Sequence, residues 1–354
     1  MTKRRPIVED IVADAQARQA ARTSWERHQD PKAVPLGYHV RGVSQLLDEN
    51  GVPKLTWQKT AIDAGHQHQA MLDAFATMSS SITPGKLIAA PRHLDEDLLA
   101  IYPMGDPHIG LHAWADETLD AHFDLKLATS QLERAADMLA SLAPPASTAI
   151  VLPLGDFFHA DNMQNRTARS GHALDVDGRY AKIAAAGVAC LVRIIDRAAQ
   201  RHRKVIVRCE IGNHDDQSAI WLALCLEQRY GNNPRIEINT SPAKYWYHQF
   251  GACLVGSTHG DTAKHASLGG IMAADEPVMW GATSHRYWYV GHIHTRTVHE
   301  LPGCEVETFR TLAPRDVYAT AAGYRSGRDM RLDILHKKHG RINRHIVGID
   351  QVMT

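Results

Sequence analysis

The sequence predicts an α/β protein built on a mostly parallel sheet, with a small α+β module ahead of it. Three observations carry this. Between residues 98 and 230, short apolar runs alternate with longer stretches of helical period, a βαβαβα order that requires parallel strands joined by crossover helices. Beyond residue 234 the pattern turns to short strands separated by Gly- and Pro-containing turns. Five clusters rich in Asp, Asn and His stand where apolar runs end: Gly105-Asp106-Pro107-His108, Gly155-Asp156, Gly212-Asn213-His214-Asp215, Thr258-His259-Gly260 and Gly291-His292-Ile293-His294. In parallel sheets, ligands gather beyond the carboxyl ends of the strands.

Residues 1–30 are charged and Ala-rich, with Ile7, Ile11, Val12 and Ala15 at helical spacing, and read as an amphipathic terminal helix. Pro31 and Pro35 end it. Apolar runs around Tyr38-Val40 and Leu46-Leu47, then Asp48-Glu49-Asn50-Gly51, then Leu55 and Trp57, give a hairpin with Asn-Gly at its turn. Residues 67–78 read as another helix, and residues 79–85 as a linker. The domain boundary is therefore placed near residue 90. Residues 1–90 form a helix/hairpin module, a candidate contact for DNA, for a protein or for a homo-oligomer. Residues 91–354 form the main domain.

In that domain, strands are expected at 98–102, 149–154 and 204–209, and helices at 119–142, 180–199 and 218–230. The helix at 180–199 puts Ile183, Val188, Leu191, Val192 and Ile195 on one side. Further strands are expected at 235–238, 245–250, 253–257, 287–290, 298–301, 306–311, 332–336 and 342–347. Phe250-Gly251, Pro302-Gly303 and His339-Gly340 serve as hairpin turns.

Composition narrows the classes. A chain of 354 residues that is 44% hydrophobic can bury a large core. Lys+Arg and Asp+Glu are 39 each, so the basic surplus of a non-specific duplex binder is missing, and any grip on nucleic acid must be local. Cys190, Cys209, Cys225, Cys253 and Cys304 form no Cys-x-x-Cys pair and lie mostly in apolar stretches, which predicts buried thiols and a cytoplasmic location. No apolar run reaches transmembrane length and none follows the basic N-terminus, so no membrane association is expected.

The clusters offer two carboxylates, one amide and four imidazoles: Asp106, His108, Asp156, Asn213, His259, His292 and His294. Imidazole with carboxylate suits divalent transition metals. One ion takes about four to six donors, so seven fit a pair of ions better than one. Two ions about 3.5–4 Å apart clamp the attacking and leaving oxygens of a displacement at phosphorus. Singly, Asp156 reads as a helix N-cap and His292 with His294 as ordinary polar residues; all five clusters in order do not.

These clusters resemble the five motifs of the calcineurin-like metallophosphoesterases. Asp106-Pro107-His108-Ile109-Gly110 and Gly155-Asp156-Phe157-Phe158-His159 are most similar to the DNA-repair exonuclease (SbcD-like) branch. The resemblance covers roughly residues 98–335. It implies a four-layer α/β/β/α sandwich. It implies that Asp106, His108 and His294 hold a first metal and Asn213, His259 and His292 a second, with Asp156 bridging. The ions are expected to be manganese, with zinc, iron or magnesium as alternatives. His214 is then the proton donor at the leaving oxygen, with Asp215 orienting it and raising its pKa. The nucleophile is a metal-activated water, and no Gly-x-Ser-x-Gly elbow is present. His159 stands behind Asp156 or against the substrate phosphate. Arg310 and Arg315, with Tyr318, are candidate phosphate contacts, and Asp161 shares the ambiguity of His159. Residues 166–179 read as a mobile polar loop beside the site. The implied reaction is hydrolysis of DNA phosphodiester bonds, as an exo- or endonuclease. The alternatives are a phosphatase or phosphodiesterase of a small nucleotide or phosphoprotein, and an assembly protein with a vestigial site.

Overall fold

A computed structural model describes residues 38–62, 88–89, 91–167 and 170–353. The chain divides into two units, Met1–Thr77 and Met78–Thr354. The helices expected over residues 1–30 and 67–78 lie outside the described residues.

The described part of the first unit is the expected hairpin, β1 (Tyr38–Leu47) paired antiparallel with β2 (Pro53–Ile62). Its turn is held by Asp48, whose carboxylate accepts the N–H groups of Asn50 at 2.9 Å and Val52 at 2.8 Å, the short-side-chain bonding that favours Asp in turns.

The second unit begins with the alternation read from the sequence. β3 (Asp95–Met104), β4 (Ala146–Pro153), β5 (Lys204–Arg208) and β6 (Ile236–Asn239) pair in parallel. Helices cross between them: α1 (Ala115–Thr118), α2 (Leu125–Leu142), α3 (Tyr180–Arg201) and α4 (Ser218–Tyr230). The helix expected from residue 119 starts later. Leu119 closes α1 at φ 51°, and Asp124 opens α2 by accepting the Leu127 N–H at 2.7 Å.

The second sheet is assembled from β7 (Trp246–Phe250), β8 (Cys253–Thr258), β9 (His285–Val290), β10 (Val298–Leu301) and β11 (Cys304–Thr308), in the order β10-β11-β9-β8-β7. β8, β9 and β11 run parallel, so β8 and β9 need a crossover. It is supplied by α5 (Leu268–Asp275) and α6 (Pro277–Ala282), two helices that the strand-rich reading of this half did not contain. After α7 (Val317–Ala321), β12 (Asp329–His336) returns to the first sheet antiparallel to β3. β13 (Gly340–Gly348) follows it, and α8 (Ile349–Met353) ends the chain. The first sheet is thus β13-β12-β3-β4-β5-β6.

The two sheets face each other. Leu99, Ile101, Ile150, Leu152 and Ile206 of the first pack with Cys253, Val255 and Tyr289 of the second in one buried cluster. The period-2 rule then sends Leu254, Trp288 and Val290 to the opposite face, where Leu268 and Met272 of α5 cover them. α2, α3 and α4 cover the outer face of the first sheet with buried stripes such as Leu132, Ala136 and Leu139, and Ile183, Leu191 and Ile195. The result is a four-layer α/β/β/α sandwich. All five cysteines are buried and free. Among the described residues, no helix is long and apolar enough to cross a membrane.

Candidate metal centre

The five clusters follow directly on β3, β4, β5, β8 and β9, the parallel strands at the middle of the two sheets. Their carboxyl ends therefore converge on one edge of the sandwich. Close backbone approach there depends on two glycines. A Cβ on Gly291 would lie 2.5 Å from Asp106 Oδ1 and 2.6 Å from the Leu154 carbonyl, and one on Gly212 would overlap the Asp156 carboxylate. Asp106, His108, Asp156, His292 and His294 all adopt positive φ, between 41° and 69°. Such backbone is rare for residues with side chains and concentrates at functional sites.

The seven candidate ligands gather in two groups. Asp106, His108 and His294 form one: His294 Nε2 is 2.9 Å from Asp106 Oδ2 and 3.2 Å from His108 Nε2. Asp156, His259 and His292 form the other, with His259 Nε2 3.3 Å from Asp156 Oδ2. Asn213 joins the second group, its Oδ1 3.0 Å from His259 Nε2. Asp156 falls in this group, and it also accepts the His214 N–H at 2.8 Å. Asp106 is fixed by the His292 N–H, at 3.1 and 3.0 Å from its two oxygens.

The donor arrangement fits cations. His259 gives its Nδ1–H to the Leu154 carbonyl at 2.8 Å, so Nε2 faces the Asp156 carboxylate and, in the neutral ring that a metal would need, turns a lone pair toward it. In the first group, two imidazole nitrogens and a carboxylate oxygen likewise converge on one point. Such facing acceptors, almost all buried, are reconciled by a positive charge between them. Burial works against charging His259, but the Asp156 carboxylate outweighs it and pushes the pKa up to about 10. Burial also opposes charging His294, and Asp106 again prevails, moving the pKa up. His108 and His292, by contrast, are pushed down by burial and by neighbouring imidazoles, which keeps them neutral and able to ligate.

His214 lies beside both groups, 4.0 Å from Asp156 Oδ2 through its Nε2. The expectation that Asp215 orients it is corrected. Its Nδ1 is bonded to the His159 carbonyl at 2.9 Å, which sets the Nδ1–H tautomer. Asp215 is fully buried and points the other way. Its carboxylate accepts the N–H groups of Asp156, Phe157, Phe158 and Gly212, tying the second cluster to the third. Burial and the nearby Asp156 charge push its pKa up against the pull of the Phe158 N–H and of His259.

The His159 ring stacks on His214 at 5.3 Å, and its Nδ1 is 3.2 Å from His108 Nδ1. Burial pushes its pKa down to about 3. Its Nε2 is buried without a hydrogen-bond partner, and the residue lines the cleft. Asp161 takes the structural role: it accepts the N–H groups of Gln217 and Ser218 and the Ser218 hydroxyl at the start of α4.

The site opens into a cleft of about 600 Å³, lined by five of the seven candidate ligands, His108, Asp156, Asn213, His292 and His294, together with His159, His214, Arg315 and Tyr318. On its wall, residues 165–167 pair antiparallel with residues 172–174: Arg166 bridges Ala173, and Thr167 N–H bonds to the His172 carbonyl at 3.0 Å. Arg310 does not line the cleft. Its guanidinium is 2.8 Å from Asp329, a carboxylate on β12 that neutralises it, so the expected phosphate contact is not formed from this position. Arg315 does line it, already paired with Asp120 at 3.3 Å.

Three supports went unread in the sequence. The Thr311 hydroxyl donates to the Asp106 carbonyl at 2.7 Å, and the Leu154 carbonyl sets the His259 tautomer. The buried pair Arg208–Glu210, at 2.9 Å, joins β5 to the Ser257 hydroxyl at the end of β8. Only Arg208 and Glu210 left a signal, two opposite charges closing an apolar strand.

No family model and none of the curated proteins matches the chain. Among solved structures it is similar to a predicted phosphoesterase from Streptococcus pneumoniae TIGR4, at 10% identity over 72% of this chain and 91% of that one, with a TM-score of 0.30. It is similar to an archaeal phosphodiesterase, at 14% identity over 70% of this chain and 99% of the other, with a TM-score of 0.35. It is similar too to zinc-complexed Vps29 from Entamoeba histolytica, at 9% identity over 71% and 99%, with a TM-score of 0.29. At identities and TM-scores this low, the reading of the site rests on its own geometry.

Proposed function

We propose that this protein is a dinuclear-metal phosphoesterase that hydrolyses phosphodiester bonds. The observation that carries the reading is the convergence of two acceptor triads, Asp106–His108–His294 and Asp156–His259–His292, on one cleft beside His214. Divalent ions held there would supply a nucleophilic water at neutral pH and neutralise charge on the phosphoryl oxygens. The chain's own residues do the rest. His214, held as the Nδ1–H tautomer by the His159 carbonyl, presents Nε2 for proton exchange with the leaving oxygen. Neutral His159 backs His214, its ring stacked on that of His214 and its Nε2 buried. The Asp215 carboxylate keeps the turn of Asp156 in register with that of His214. Manganese is the expected metal, since mixed carboxylate, amide and imidazole shells accept it.

DNA is the proposed substrate, on the resemblance of the first two clusters to the repair-exonuclease branch. A small nucleotide diester is the second reading, and one observation favours it. Among the described residues the cleft carries no basic track: Arg315 is paired with Asp120, and Arg328 is turned onto the Leu312 carbonyl. A long polyanion needs several unspent cations along its path. The buried thiols fit a reducing, cytoplasmic setting.

The test uses protein stripped of metal and reloaded with manganese, assayed on labelled single- and double-stranded DNA and on bis-p-nitrophenyl phosphate. Metal content is measured alongside. His214→Ala is expected to lower the rate about 10²–10⁴-fold, and Asp156→Ala to abolish it with loss of bound metal. DNA cleavage lost in both variants supports a nuclease. Hydrolysis of the small diester with DNA untouched supports the nucleotide reading. A metal-loaded protein inert toward all three substrates overturns the enzyme reading and leaves a vestigial site.

A further inference from the structure

We propose that Tyr318 and Tyr324 form a shelf for a nucleobase, so that the ester cut at the metal centre is one that carries a nucleoside. This rests on the phosphoesterase reading and names its substrate class.

The two rings are out of place for structural residues. Tyr102, Tyr230 and Tyr289 are buried in the core, whereas Tyr318 is 53% exposed and Tyr324 54% exposed. Both line the cleft that the metal triads line. They come from one segment, α7 and its exit, and His172, which also lines the cleft, meets Tyr318. The His172 and Tyr318 rings are 4.7 Å apart at 85°, and those of Tyr318 and Tyr324 6.3 Å apart at 68°. These contacts are edge to face, so no ring is stacked flat on another, and with both tyrosines about half exposed, ring surface is left for a planar ligand.

The shelf is also held in place. Asp316 caps α7 by accepting the Ala319 N–H at 2.7 Å, and the Thr320 hydroxyl donates to the Thr118 carbonyl of α1 at 3.1 Å. The Tyr324 N–H bonds back to the Ala319 carbonyl at 3.0 Å. A preorganised aromatic surface gains affinity because little freedom is lost on binding. A cleft of about 600 Å³ lined both by candidate metal ligands and by the two tyrosines matches a ligand that carries a phosphate and a flat apolar ring. Of the described arginines in the cleft, Arg315 is paired with Asp120 and Arg328 is bonded to the Leu312 carbonyl, so stacking on the tyrosines can hold the distal part of the substrate. Base–aromatic stacking is worth about 5- to 150-fold in affinity per base.

Two measurements test this. In the first, the manganese-loaded protein is titrated calorimetrically with adenosine 5′-monophosphate and with ribose 5-phosphate. The nucleotide is expected to bind at least about fivefold tighter, and Tyr318→Leu with Tyr324→Leu to erase the difference, while Tyr318→Phe keeps it. Equal binding of the two ligands, or a preference that survives loss of both rings, overturns the shelf. In the second, hydrolysis of thymidine 5′-(p-nitrophenyl phosphate) is compared with that of methyl p-nitrophenyl phosphate. The ratio of their kcat/KM values is expected to fall in the double variant through the KM of the nucleoside ester; an unchanged ratio overturns the proposal. If the wild type hydrolyses neither ester, the phosphoesterase reading fails by itself, and the titration still decides the shelf. A short oligodeoxynucleotide cut with the same tyrosine dependence places the base at a strand end, and dependence confined to the mononucleotide ester places it in a free nucleotide; both support the shelf.

Discussion

Replacing Gly212 by alanine tests whether the metal centre depends on backbone closure at the strand ends. A Cβ at this position would overlap Asp156, at its carboxylate and at its backbone nitrogen. Neither can retreat freely. The Asp156 N–H is bonded to Asp215 Oδ1 at 3.1 Å, and its Oδ1 accepts the His214 N–H at 2.8 Å. Relief therefore moves the turn of Asp156 or that of Asn213 and His214 by about 1 Å, and a misplacement of that size costs about 10²-fold in rate, or about 2.7 kcal/mol of barrier. Overpacking should add about 1–3 kcal/mol of destabilisation. Gly270→Ala is the matched control. It lies on an exposed side of α5 with no atom within 4 Å of its Cβ, so alanine there should leave the rate alone and stabilise the helix by about 0.5–1 kcal/mol. The assay is manganese-dependent hydrolysis of bis-p-nitrophenyl phosphate, read beside urea unfolding. Gly212→Ala protein with kcat/KM within about threefold of wild type would refute the reasoning, because the Asp156 position would then not limit the reaction.

Two further outcomes concern stability. His202 is buried, accepts the Tyr102 hydroxyl at Nε2 at 2.8 Å and gives its Nδ1–H to the Ala146 carbonyl; burial pushes its pKa down from 6.5 to about 4. Between those values the unfolded chain binds a proton that the folded one does not, so stability rises with pH and about 3 kcal/mol is lost as pH falls through that window. The stability gap between wild type and His202→Gln should shrink accordingly between pH 7 and pH 4.5, and a gap independent of pH contradicts the assignment. Glu307, buried between the sheets, accepts from Arg331 at 2.9 Å, Arg344 at 2.7 Å and Arg296 at 3.0 Å. Arg331 keeps Asp329 and Arg344 keeps Asp333, so Glu307→Ala leaves donors unmet rather than charges unpaired; it should cost about 1–3 kcal/mol in urea unfolding, and a loss below about 1 kcal/mol would show that the network relaxes or rehydrates.

What could be read from the sequence was what local pattern controls. The helix over residues 218–230 and the strand over 298–301 come out with the expected ends, and the Asp- and His-rich clusters sit at strand ends as their apolar approach predicts. What could not be read depended on long-range pairing. Leu268–Asp275 is nearly all apolar or glycine, so no helical period shows; parallel pairing of β8 with β9 is what demands a crossover there. Asp215 follows His214 in the chain, which suggested a pair. Adjacent side chains leave in different directions, and its carboxylate instead collects four backbone N–H groups. The fate of Arg310 was set by Asp329, which only the packing of β12 brings near.

The strain at the site explains why these supports are so numerous. Left-handed backbone costs about 1–2 kcal/mol per residue with a side chain, and five of the seven such residues among those described are candidate metal ligands. Summed, that is about 5–10 kcal/mol, comparable with the whole net stability of a typical domain. Nothing in the local sequence offsets it, since Asp and His have only a modest tolerance for this conformation. The offset comes from the surroundings: the His292 N–H on Asp106, the His214 N–H on Asp156, the Thr311 hydroxyl on the Asp106 carbonyl, and the four N–H groups on Asp215. The bent backbone is also what lets one short cluster serve both groups, because His292 and His294, two residues apart, turn toward different carboxylates. A rigid two-sheet frame with facing parallel strand ends can hold such turns; a single hairpin could not, and this is why the ligands are drawn from both sheets.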